Sequence, residues 1–185
     1  HEAEGQFERE PNDGIDHANP IDAAKPATGY YSPSFNKLSQ NAEAPLREDD
    51  WYSFTVATEE GKPTIVRAEL SAVPGVTPAL ELFTPDKTLA TKAEGPTAGS
   101  AAVISRLAVT APGTYYLCVH SRAYESNGEK PYSLVVSFPE FDPSKESEPN
   151  DSKETANAFA PPFMDGRISP SGDRDVYGFS AEEPS

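Results

Sequence analysis

Apolar residues along the 185-residue chain fall into short runs with a period of two. Tyr52, Phe54 and Val56 alternate with polar neighbours, and Val66, Ala68 and Leu70 do the same around Arg67 and Glu69. Leu80 and Leu82 follow, then Val103 or Ile104 with Leu107 and Val109, Leu117 with Val119, and Leu134, Val136 and Phe138. Successive strand side chains point to opposite faces, so these runs predict strands with one face buried and the other solvated. Glu60-Gly61-Lys62-Pro63, Pro74-Gly75, Pro85-Asp86-Lys87, Pro112-Gly113 and Ser126-Asn127-Gly128 separate them with residues that set turn dihedrals. No segment carries an apolar period of 3.6. The pattern predicts an all-β fold, an antiparallel jelly-roll-like β-sandwich.

An internal repeat divides the chain. Glu8-Arg9-Glu10-Pro11-Asn12-Asp13 returns as Glu146-Ser147-Glu148-Pro149-Asn150-Asp151. Ala18-Asn19 returns as Ala156-Asn157, and Gly29 to Ser34 as Gly166 to Ser171, sharing the Gly and Ser-Pro-Ser. Glu48-Asp49-Asp50-Trp51-Tyr52-Ser53-Phe54 returns as Asp173-Arg174-Asp175-Val176-Tyr177-Gly178-Phe179. Blocks that recur in one order mark a duplicated unit. The first copy carries an extra polar stretch from Phe35 to Arg47, expected to be a surface loop. The second copy lacks everything that matches residues 64–138, so it cannot build a sandwich of its own. The expected division is a module over residues 1–138, a linker over 139–147 and an incomplete second repeat over 148–185. The expected reason is a cut from a longer tandem protein, with pairing onto another sheet edge as the alternative.

These motifs together resemble the bacterial pre-peptidase C-terminal domain: Glu-x-Glu-Pro-Asn-Asp, a Gly-bearing strand, then Asp-x-Asp-x-Tyr-x-Phe. Ala79 to Phe83, Ala111 to Val119 with its Gly-Thr-Tyr-Tyr core, and Pro131 to Val136 are similar to the later strands of that family. The resemblance spans residues 7–138 and, in part, 145–181. It implies a jelly-roll-like sandwich of secreted bacterial proteins, often beside protease catalytic domains and related to the collagen-binding domains of clostridial collagenases. Such domains are accessory: they bind substrate, aid secretion or folding, or attach a protein to a surface.

The repeated acidic motif carries the candidate chemistry. Calcium takes six to eight oxygen ligands from carboxylates, amide carbonyls and backbone. Glu8, Glu10, Asn12 and Asp13 concentrate such oxygens, and Glu48, Asp49 and Asp50 form a second acidic patch at a strand entry. The collagen-binding relatives place calcium in this region. Carried over by position, the candidate ligands are Glu8, Glu10, Asn12, Asp13, Glu48 and Asp50. In the second copy they are Glu146, Glu148, Asn150, Asp151, Asp173 and Asp175, with Asp173 one methylene shorter than Glu48. The competing reading is structural: Pro11 sets a turn, and Asn12 and Asp13 cap it through side-chain-to-backbone bonds.

Composition narrows the function classes. A net charge of -15 repels nucleic-acid phosphates and anionic lipid, so nucleic acid is excluded as a partner. No apolar stretch is long enough to insert through a bilayer. No signal peptide opens the sequence, and that absence carries no weight. The single cysteine, Cys118, lies in an apolar run and reads as a small buried hydrophobe. The three histidines, His1, His17 and His120, show no metal-ligand spacing, and no nucleophile elbow or phosphate loop occurs. The expectation is no enzyme activity.

Surface tyrosines supply a possible binding face, because their rings add contact area at low entropy cost. Tyr30, Tyr31, Tyr116, Tyr124 and Tyr132 are the candidates, with ordinary cross-strand aromatic packing as the alternative. The resulting expectation is a monomeric, secreted, periplasmic or cell-surface accessory module. Its partner would be an extracellular protein or polysaccharide, or an adjacent catalytic domain. A structural spacer repeat and a chaperone- or inhibitor-like domain for a neighbouring protease are the alternatives.

Overall fold

The computed structural model describes residues 6–32, 48–60, 62–159, 161–168 and 173–180. The expected Phe35–Arg47 loop lies outside them. Ten strands form the first module: β1 (Gln6–Phe7), β2 (Asn19–Pro20), β3 (Ala27–Tyr31), β4 (Asp49–Val56), β5 (Thr64–Leu70), β6 (Pro78–Phe83), β7 (Leu89–Glu94), β8 (Ala102–Val109), β9 (Gly113–Ser121) and β10 (Asn127–Ser137). They make two five-stranded sheets, ordered β1-β3-β10-β5-β8 and β2-β4-β9-β6-β7, packed face to face as a β-sandwich. The long pairings are antiparallel. Among the described residues of this module, the two-residue strands β1 and β2 run parallel to their neighbours, β3 and β4.

The alternating residues meet between the sheets. Val66, Ala68, Leu70, Leu107, Leu134 and Val136 come from one sheet, and Tyr52, Phe54, Val56, Leu80, Leu82, Leu117 and Val119 from the other, all buried in a single core. Leu134 of β10 sits opposite Ala27 on one side and Leu70 on the other, at the middle of its sheet. Cys118 is buried as expected of a small hydrophobe.

Three features depart from the pattern. β7 was absent from it, because its edge position leaves Leu89 exposed and buries only Ala93. The β9–β10 turn comes earlier than Ser126-Asn127-Gly128 suggests. β10 already starts at Asn127 and is bulged between Asn127 and Tyr132, while Tyr124 takes the positive φ of 59°. In β8 the register slips where Val66 faces Leu107 and Ala68 faces Ile104. Ser105 and Arg106 therefore share the space opposite Arg67. This bulge explains the irregular spacing of Ile104 and Leu107 in the sequence, and bulges favour sheet edges such as β8.

The second copy repeats the entry of the first. β11 (Asn157–Ala158) pairs in parallel with β12 (Tyr177–Gly178), as β2 does with β4. Phe179 and Ile168 are exposed at positions where the first copy buries Phe54 and Tyr31. Residues of the expected linker take part in this structure: Glu146 and Ser147 are buried, and Glu146 N–H donates to the Asp165 carbonyl at 2.9 Å.

Leu134→Ala should cost about 2–5 kcal/mol, because the surrounding strands cannot close the cavity it leaves. A chemical-denaturation curve checks this, with the midpoint lowered and the slope unchanged.

Candidate metal centre

The acidic hexapeptide is held where the two sheets meet at one end of the sandwich. Glu8 N–H donates to the Thr28 carbonyl at 2.9 Å, which extends the β1–β3 pairing. The Asn19 side chain clips the next residue on both sides: its Nδ2 donates to the Arg9 carbonyl at 3.0 Å and its Oδ1 accepts from Arg9 N–H at 2.6 Å. Trp51 N–H donates to the Asn12 carbonyl at 3.0 Å, fixing the motif against the start of β4.

This docking gathers the carboxylates. Oxygens of Glu10, Glu48 and Asp50 all lie within 4.8 Å of one another. Glu8 stands beside them, its Oε1 accepting from Tyr30 N–H at 3.0 Å and its Oε2 lying 3.3 Å from the Tyr132 hydroxyl. The same hydroxyl donates to Asp50 Oδ2 at 2.5 Å and lies 2.7 Å from the Tyr52 hydroxyl. Asn12 is wholly buried, and its N–H donates to Glu10 Oε2 at 3.0 Å. Glu48 Oε2 is buried with no hydrogen-bond partner among the described residues. Asp13 lies outside the three-carboxylate cluster but close enough to repel Glu48.

Burial and mutual repulsion act in the same direction here. Burial first, then the charges of Glu10, Glu8 and Asp13, push the Glu48 carboxyl up to about 8. Asp50 is raised well above the usual carboxylate range by burial and then by Glu8. Burial also raises Glu8, against hydrogen bonds from Tyr30 and Tyr132. Burial and the carboxylates hold the Tyr52 and Tyr132 hydroxyls far above their usual range, so both remain neutral donors. Such a site must take up protons or a cation to relieve its charge. Its donors are all oxygen, which suits a hard cation.

The second copy builds the same arrangement without the second half of a sandwich. Oxygens of Glu146, Glu148 and Asp175 lie within 4.8 Å of one another. Asn157 clips Ser147 as Asn19 clips Arg9, and Val176 N–H donates to the Asn150 carbonyl at 2.9 Å as Trp51 does to Asn12. The Tyr177 hydroxyl donates to Glu146 Oε2 at 2.6 Å, and Arg167 N–H donates to Glu146 Oε1. Asn150 is wholly buried, and neither atom of its amide has a partner among the described residues; the same holds for Asp175 Oδ1. Burial, then Asp173, Asp151 and Glu146, push Glu148 to about 7. Burial and the neighbouring Glu146 and Asp173 raise Asp175. Asp151 and Asp173 thus act on the cluster from beside it.

The tyrosine candidates separate. Tyr31 and Tyr132 are buried and pack on each other with ring centroids 5.0 Å apart, so neither forms a surface. Their rings fill the space beneath the acidic site. Tyr30 and Tyr124 are exposed, and Tyr116 is half-buried. Tyr116 faces Phe83 across the strands, and Phe83 packs on Trp51 with centroids 5.0 Å apart. Five residues have a part in the acidic sites that the sequence did not assign them. Asn19 and Asn157 were visible as repeated residues without a role. Gly29 and Gly166 were visible likewise. A Cβ at Gly29 would run into Glu8 Oε2 and the Tyr132 hydroxyl, and one at Gly166 into Tyr177 and Glu146. Tyr132, read from the sequence as a candidate for the binding face, is instead buried with its hydroxyl on Asp50.

No family model matches the chain, and no curated protein matches it. Among solved structures, the pre-peptidase C-terminal domain of a collagenase from Bacillus anthracis is similar over 65% of this chain and 94% of that one, at 19% identity and a TM-score of 0.46. A likeness this loose bears no functional weight.

Two outcomes follow from the geometry. A carboxyl with a higher pKa in the folded state stabilises the fold below its unfolded value and gives this up as pH rises through the folded value. For Glu48 that window runs from 4.5 to about 8. In chelator, the melting temperature should therefore fall as pH rises through this range, and scanning calorimetry at stepped pH checks it. Gly29→Ala should cost about 1–3 kcal/mol by overpacking, since the colliding groups are held by other bonds. A denaturant midpoint measures that loss.

Proposed function

We propose that this chain is a non-catalytic accessory module of a secreted or cell-surface protein, stabilised by a bound divalent cation at each acidic motif. The observation that carries the reading is the cluster of Glu10, Glu48 and Asp50. Its carboxylates come from two segments of the chain, have oxygens within 4.8 Å of one another and include an oxygen without a hydrogen-bond partner among the described residues. Glu10, Glu48 and Asp50 would hold the cation with Glu8 beside them, and Glu146, Glu148 and Asp175 would hold a second. Oxygen-only donors and several carboxylates favour calcium. Bound calcium would neutralise the repulsion that otherwise works against docking of the hexapeptide. The surface available for a protein or polysaccharide partner is the aromatic group Trp51, Phe83 and Tyr116, with Tyr30 and Tyr124 at other exposed points.

A spacer reading has its own support. Glu148 N–H donates to the Arg106 carbonyl at 2.8 Å and Ala108 N–H donates to the Glu148 carbonyl at 2.7 Å, so the two copies are joined by backbone bonds. A joint of this kind suits a repeat that sets distance and orientation in a larger protein.

Calcium titration followed by calorimetry tests the cation site. Binding to the folded state alone should add about 2.7 kcal/mol once calcium exceeds its dissociation constant a hundredfold. Asp50→Asn should raise stability in chelator at pH 8 and reduce the calcium response. An unchanged melting temperature across the calcium titration removes the reading. Retention on immobilised collagen, peptidoglycan or chitin, lost in Trp51→Ala, checks the binding role.

A further inference from the structure

The joint between the copies uses one edge of each. β8 is the last strand of its sheet, and β1 is the first strand of the same sheet. The Glu146–Glu148 segment occupies the position in the second copy that Glu8–Glu10, the continuation of β1, occupies in the first. Through the bonds of Glu148 it adds in parallel to β8, with Leu107 opposite Glu148. Arg106, turned out at the β8 bulge, donates through Nε to the Glu146 carbonyl at 2.9 Å and through Nη2 to the Asp142 carbonyl at 3.4 Å. The sheet of the first module thus runs on into the edge of the second.

The first copy carries the same half of this joint, and no other described strand lies on it. Its motif has matching internal bonds, from Glu8 to Thr28, from Arg9 to Asn19 and from Trp51 to Asn12. Glu10, the counterpart of Glu148, has no hydrogen bond from its main-chain N–H or carbonyl among the described residues. Docking on β8 leaves Glu146 and Ser147 buried, whereas Arg9 and Glu10 are exposed and Phe7 is 68% exposed. An edge with open backbone donors and acceptors is a template for another strand.

We propose that the Glu8–Glu10 edge is a docking surface for the β8 edge of another module of this fold, supplied by a second copy of this chain. The two edges are different surfaces, so the contact is heterologous and propagates head to tail. Charge complements shape, because the incoming β8 brings Arg106 to a rim lined by Glu8 and Glu10. Within one chain the second copy already covers β8, and this internal contact keeps copies apart until it is released.

The test uses the full chain with that internal contact weakened. Glu148→Pro removes the N–H that bonds to Arg106. It should self-associate head to tail, its sedimentation mass at least doubling between roughly 10 µM and 1 mM, while the unmodified chain stays monomeric. Adding Glu10→Pro should abolish the association, whereas adding Glu10→Ala should leave it, because the contact runs through the backbone. All runs are made in chelator, so the outcome is independent of cation binding, and circular dichroism confirms the fold of each variant. A monomeric Glu148→Pro chain at every concentration overturns the proposal, as does equal association of the Glu10→Pro and Glu10→Ala forms.

Discussion

Crowding of carboxylates at the end of the sandwich is the constraint around which the rest of the first module is arranged. Glu8, Glu10, Glu48 and Asp50 are brought together by backbone bonds at both sheets, and burial of Asp50 and, in part, of Glu8 and Glu48 removes water that would screen them, while Glu10 stays exposed at the rim. Two neutral tyrosine hydroxyls from the core meet them from below. The glycine at position 29 exists to let Glu8 and Tyr132 approach. The arrangement holds only if protons or a cation balance the charge.

The duplication shows how much of this arrangement is local. In the second copy about thirty residues, from Lys145 to Tyr177, restore the clip, the glycine approach, the tyrosine donor and the carboxylate cluster. They do so without strands equivalent to β5–β10. The tyrosine differs in origin. The first copy reaches Glu8 from Tyr132 on β10, and the second reaches Glu146 from Tyr177, the counterpart of Tyr52.

Much of the fold was legible because half-buried strands write their faces into the sequence with a period of two. Tyr52, Phe54 and Val56 or Leu134 and Val136 could face only inward together. β7 was not legible, since an edge strand that buries little more than Ala93 has no alternation to read. The β8 bulge hid behind an ambiguous choice between Val103 and Ile104. At the site, repetition revealed the carboxylates, whereas composition alone did not separate the buried Tyr31 from the exposed Tyr30. The destination of the Tyr132 hydroxyl depends on three-dimensional closure, which no spacing encodes. The joint was hidden for another reason: main-chain hydrogen bonds leave no side-chain signature, and Arg106 resembles any other surface cation until its carbonyl partners are seen.

Tyr132 lies on the last strand of the first module, yet its hydroxyl spans Glu8 and Asp50 near the beginning of the chain. The acidic centre is therefore finished from the last strand of its own module. A nascent chain would present these acids unbraced until β10 was laid down, so the hydroxyl network beneath them would close only with completed synthesis of the module.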